Sequence, residues 1–123
     1  MADAKTWEVG GVTLTLDMGD AEVMDRYEAA FAQMAKDEQA IPKDGRASDR
    51  IRAYCRMFHR LYDALFGEGT AEKLFGDRMS ATECDEVYDS FLAFVQGQLT
   101  ASAERRANRL MKYKPNRAAR RNA

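Results

Sequence analysis

One histidine, two cysteines and two prolines are all that this 123-residue chain holds of those residues. Each shortage excludes something. A zinc site draws three or four nitrogen or sulfur ligands together. His59, Cys55 and Cys84 leave almost none to spare, so no metal and no cofactor is expected. Cys55 and Cys84 lie far apart in sequence and form no Cys-x-x-Cys unit, so two reduced, buried thiols are expected rather than a bridge. No apolar run approaches the roughly 18 residues of a membrane span, and no membrane partner is expected. Met1-Ala2-Asp3-Ala4-Lys5 is polar, so no secretory leader is expected either, and the expected compartment is the cytoplasm.

Reactive constellations are short too. A Ser–His–acid triad would have to use His59, which sits among Phe58, Leu61 and Tyr62 beside an apolar stripe, and there is no Gly-x-Ser-x-Gly. Cys55 and His59 are i, i+4 neighbours on one helix, but no orienting third group or oxyanion loop accompanies them. Gly67-x-Gly69 precedes a helix start, yet no Gly-Lys-Ser/Thr follows, and Glu68 would repel a phosphate. A tight interhelical turn with two positive-φ positions fits those glycines better. No catalytic residue is assigned, and no enzyme is expected.

What is there supports one packed domain. Apolar residues make up 46% and charged residues 32%, which suits a core with a solvated shell. Residues 6–17 read as a β-hairpin: Thr6-Trp7-Glu8-Val9, then Gly10-Gly11, then the alternating Val12-Thr13-Leu14-Thr15-Leu16. A first helix opens at Met18-Gly19-Asp20 and carries Val23, Met24, Tyr27, Phe31 and Met34 on one stripe until Pro42 ends it. A second starts near Ser48 or Asp49 with Ile51, Tyr54, Cys55, Phe58, Leu61, Tyr62 and Leu65. On its other side Arg52, Arg56 and Arg60 form a cationic stripe suited to pair with the acidic first helix. Thr70–Phe75 is a short helix closed by Gly76. Ser80-Ala81-Thr82-Glu83 has capping-box spacing. The last helix carries Cys84, Val87, Tyr88, Phe91, Leu92, Val95 and Leu99 and runs at least to Met111.

The expected fold is therefore mainly α, a small helical bundle of three long helices and one short helix with an N-terminal hairpin. It forms a single domain over 1–115, followed by a basic flexible tail at 116–123. Met24, Met34 and Met57 fall on or near the stripes, where core filling is expected.

The net charge of −1 hides an asymmetry. Residues 1–103 hold 11 Lys/Arg and 19 Asp/Glu, whereas residues 104–123 hold 8 Lys/Arg and one acid, Glu104. Arg105, Arg106, Arg109 and Lys112 lie within about two helical turns and make a compact positive surface. Such a surface suits nucleic acid, an acidic protein, the chain's own acidic body, or the acidic body of a neighbouring copy. The last would build rings or open helical assemblies head to tail. Tyr113 is the tail's single aromatic, which gives little for base stacking.

The block Phe58-His59-Arg60-Leu61-Tyr62-Asp63-Ala64-Leu65-Phe66-Gly67-Glu68-Gly69-Thr70-Ala71-Glu72-Lys73-Leu74-Phe75-Gly76 resembles a family of small tail proteins from phages and prophages of Gram-positive bacteria, similar to tail assembly chaperones. Its most specific part is the turn from Phe66, Gly67, Glu68, Gly69 and Thr70 to Phe75 and Gly76. The glycine-containing hairpin and the Lys112–Arg121 ending look like the same group. The resemblance implies a non-enzymatic protein that coats the hydrophobic tape measure protein until tube subunits polymerise, self-associates, and is not retained in the mature virion. Under that reading an apolar groove is needed, with Phe75, Phe91 and Phe94 as candidates. Core packing is the better expectation for Phe91. A nucleic-acid-binding protein and a structural tail or head-completion protein kept in the virion are the alternatives.

Overall fold

The structure, a computed structural model, describes residues 4–112. Gly10 and Gly11 sit at φ 53° and 79°, the paired positive values that a two-residue hairpin turn requires. They join β1 (Thr6–Val9) to β2 (Val12–Thr15) in the register Thr6↔Thr15, Trp7↔Leu14, Glu8↔Thr13 and Val9↔Val12. A lone hairpin is marginal in water. This one is held by its buried tryptophan. The Trp7 ring packs within about 6 Å of Tyr62, Phe66, Phe91 and Phe94, and its Nε1–H donates to Ser90 Oγ at 2.9 Å.

The four helices follow in order. Asp20 caps α1 (Ala21–Gln39), accepting from the N–H groups of Glu22 and Val23. α2 (Ala47–Phe66) is the central element and buries Cys55, Met57, Phe58, Leu61, Tyr62 and Leu65. The short α3 (Thr70–Phe75) folds back on α2 and buries Leu74 and Phe75. α4 (Ala81–Met111) has 31 residues, about 46 Å of helix at 1.5 Å per residue. Ser80 caps it by accepting from the Glu83 N–H. The other half of the capping box does not form, because Arg78 takes the Glu83 carboxylate at 3.0 Å. The mainly helical bundle with its N-terminal hairpin is the expected architecture. The tail at 116–123 lies outside the described residues.

The core differs from the sequence pattern on α4 and on α1. Leu92 and Leu99, expected on the buried stripe of α4, are each 39% exposed. Gln98 is buried instead, at 3% exposure. The hairpin explains the exchange: Gln98 donates to the Leu16 and Ala4 carbonyls at 2.8 and 3.2 Å and accepts from the Met18 N–H at 2.6 Å. A buried backbone with no strand or helix partner needs such a side chain. On α1 the stripe Val23, Met24, Tyr27, Phe31 and Met34 is only half-buried, and Ala30 alone is fully enclosed. Met57 is buried as expected, whereas Met24 and Met34 stay at the boundary. The arginine stripe of α2 reaches α1 through the ion pair of Arg60 with Asp37 at 2.8 Å, while Arg52 pairs with Asp49 on its own helix.

Candidate functional site

The family-like turn is built to join helices. Gly67 and Gly69 take φ 115° and 92°, conformations that favour glycine. Around them, Thr70 Oγ1 donates to the Gly67 carbonyl at 2.7 Å, the Gly67 N–H donates to the Asp63 carbonyl, and the Ala71 N–H donates to Asp63 Oδ1 at 2.8 Å. Those bonds lock α3 against α2. Phe66 is half-buried against Trp7 and Phe91, and Gly76 caps α3 through the Glu72 carbonyl. Phe75 is the correction here. Proposed as a groove residue, it is 1% exposed, stacked on His59 at 4.9 Å and beside Tyr62 at 5.9 Å. Its aromatic ring closes the α2–α3 joint and cannot meet a partner. Phe91 is fully buried. Phe94 is half-buried and lies parallel to Trp7 at 6.1 Å, a seat for the hairpin more than an open surface.

Cys55 and Cys84 approach each other between α2 and α4, both fully buried and reduced. Burial, reinforced by a sulfur hydrogen bond to Cys55, pushes the Cys84 thiol up to about 12. A thiol held protonated is a poor nucleophile. His59 is half-buried, and burial lowers its pKa despite the opposing pull of Asp63. Its Nε2 and the Tyr62 hydroxyl are buried without a protein partner. Among the described residues no group of three or more His, Cys, Asp or Glu side chains could hold a metal ion. None of their helices is long and apolar enough to cross a membrane.

Two surfaces remain. The first is basic. Lys5 and Arg105, Arg106 and Arg109 surround a cleft of about 360 Å³ with Ser102, where the start of the chain meets the second half of α4. Lys5 also lies 3.9 Å from Asp17. Lys112 follows one turn beyond, and every residue from 103 to 112 is exposed. The cluster expected from the sequence is therefore one surface, joined by a lysine that spacing along α4 could not reveal.

The second surface is apolar and lies toward the opposite end of α4. Ile41, Ala47, Ile51, Tyr54 and Ala81 line an open groove of about 340 Å³, with Arg50 at its side. Three segments meet there: the exit of α1, the first turns of α2 and the start of α4. Tyr54 forms one wall, its ring edge-on to Phe58 and its hydroxyl donating to Asp85 Oδ1. Ile51 is 40% exposed. Sequence reasoning placed Ile51 and Tyr54 in the core. Ile51 is instead exposed and Tyr54 half-buried, and both line the open groove with Ala47 and Ala81.

Residues 10–123 match a family of unknown function, DUF6673. No curated protein and no solved structure matches the chain. The chain belongs to the DUF6673 family.

Proposed function

We propose that this member of DUF6673 is a phage tail assembly chaperone that binds and solubilises the tape measure protein and self-associates while doing so. The groove of Ile41, Ala47, Ile51, Tyr54 and Ala81 is the observation that carries the reading. An amphipathic helix laid in such a groove buries its i, i+3, i+4 and i+7 side chains, which is what a long apolar helical client needs while no tube surrounds it. At about 25 cal/mol per Å² of apolar surface removed from water, a few side chains per copy give weak contacts, and many copies along one client give a stable coat. The chaperone acts in the host cytoplasm and leaves before the particle is complete. No side chain is assigned a reactive role, and no cofactor is required.

Co-expression tests this. The tape measure protein encoded with the chain stays in the soluble fraction when the chain is present and precipitates without it. Ile51→Asp, a change at an exposed position, abolishes the rescue. A tape measure protein that precipitates equally with and without the chain contradicts the proposal.

The basic cleft favours a second reading, binding to nucleic acid through phosphate contacts. That reading requires affinity to fall steeply with salt as counterions are released. Neutralising Arg105, Arg106, Arg109 and Lys112 would abolish such binding, and no binding at low salt removes the alternative. A structural part kept in the virion would be found at high copy by mass analysis of purified particles.

A further inference from the structure

The buried side of α4 changes character toward its end. Cys84, Val87, Phe91, Val95 and Gln98 face the core at steps of three and four residues. The same line runs on through Ser102, Arg105 and Arg109, with Arg106 beside it. Guanidiniums thus stand where the earlier turns carry core side chains, and they line the cleft of about 360 Å³. Arg106 also reaches the entrance of α1. A side chain at Gly19 would meet its guanidinium at 3.0 Å, so bare backbone lets that group lie close. Asp17 lies at this edge, and both its oxygens are engaged: Oδ1 accepts from the Gly19 N–H at 2.9 Å and Oδ2 lies 3.9 Å from Lys5. Among the described residues Arg105, Arg106 and Arg109 make no ion pair. Glu104 falls on the opposite side of the helix, two residues from both Ser102 and Arg106. Three like charges gathered without a counter-ion repel one another, and each carboxylate brought to them relieves that repulsion.

Shape and charge select the partner. Steps of three and four are the repeat by which one helix packs on another, and Arg105 and Arg109 stand about 6 Å apart along the axis. Carboxylates four residues apart on a facing helix have the same spacing, and a guanidinium takes a carboxylate through paired N–H donors. We infer that this cleft docks a helix of a protein partner that carries carboxylates at i and i+4 on one face. A nucleic acid fits it less well. Its duplex carries a charge about every 1.7 Å and would run on over residues 1–103, where 19 acids stand against 11 Lys/Arg. Among the described residues no aromatic side chain lines the cleft to stack a base. A short helix with one acidic face meets the guanidiniums and leaves the acidic body alone. The cleft and the apolar groove lie toward opposite ends of α4, so docking here is independent of what the groove holds.

Fluorescence anisotropy on the full chain at physiological salt tests it. The probe is a labelled, alanine-based helical peptide with glutamates at i, i+4 and i+7. It binds saturably, and the same peptide with glutamine at those places does not. A peptide with its three glutamates spread around the helix binds about threefold more weakly. Arg105→Gln and Arg109→Gln, both at exposed positions, each weaken binding of the probe by about threefold and together by about tenfold, with helix content by circular dichroism unchanged. Ile51→Asp leaves the affinity as it is. No binding of the one-face peptide overturns the inference. So does a spread peptide that binds as tightly, which marks net charge alone. Tighter binding of a single-stranded or duplex DNA of equal charge overturns it too, by marking a nucleic-acid site. So do copies that associate in sedimentation and separate when Arg105 and Arg109 are neutralised, which gives the cleft to a second copy.

Discussion

Gln98 accepts a 2.6 Å hydrogen bond from the Met18 N–H, joining the last helix to the entrance of the first across 80 residues of sequence. The same amide donates to the Leu16 carbonyl at 2.8 Å. One side chain thereby satisfies both flanks of the segment that leaves the hairpin and opens α1. Gln98→Leu strands buried backbone groups, each worth about 1–3 kcal/mol when left unpaired. Urea unfolding is expected to show a loss of about 3 kcal/mol in this variant. Ser90→Ala, which removes only the partner of the Trp7 indole, is expected to cost about 1 kcal/mol.

The adjacent thiols give a chemical prediction. Cys55 and Cys84 are fully buried, and burial with the Cys55 sulfur beside it pushes the Cys84 thiol well above the ordinary cysteine range. Its thiolate is therefore much scarcer than that of an ordinary cysteine at mild pH. A thiol-reactive dye is expected to label neither residue in the native protein and both in urea. Rapid labelling of the folded chain contradicts the packing between α2 and α4.

His59 makes stability depend on pH. Burial lowers its pKa from the ordinary 6.5, Arg56 adds to the fall, and Asp63 opposes it. Below pH 6.5 the unfolded chain takes up a proton that the folded chain resists, so the unfolded state binds more protons and stability drops as pH falls through that range. The contribution is complete above the unfolded value and is lost toward the folded one. In His59→Phe, which keeps a ring against Phe75, the difference in unfolding free energy between pH 7.5 and pH 5.5 is expected to shrink. An unchanged difference assigns the slope to other groups.

Local rules made the hairpin, the caps at Asp20, Ser80 and Gly76, and the extent of α4 legible in the sequence. Turn glycines, capping side chains and helical periodicity act over a few residues, and here they agree with the tertiary structure. Burial was less legible. Periodicity marks which residues share a face, but it cannot tell which neighbour covers that face. Leu99 therefore read as core and Gln98 drew no reading, although the hairpin's backbone buries Gln98 and leaves Leu99 exposed. Phe75 read as a surface candidate because α3 is too short for its stripe to be assigned, and only its docking on His59 and Tyr62 shows its place. The basic cluster was legible as four cations on one helix. Lys5, which completes the cleft, comes from the other end of the chain and carried no signal. The groove was hidden for a further reason. Ile51 and Tyr54 fit an ordinary buried stripe, and other residues that line the groove, Ile41, Ala47 and Ala81, come from three different stretches of the chain.

The account stands most directly on whether the groove holds a helix of the tape measure protein. Isothermal titration of the full chain with overlapping amphipathic segments of that protein measures this. Saturable binding to at least some segments is predicted, abolished by Ile51→Asp. No binding to any segment, or binding that Ile51→Asp leaves unchanged, contradicts it.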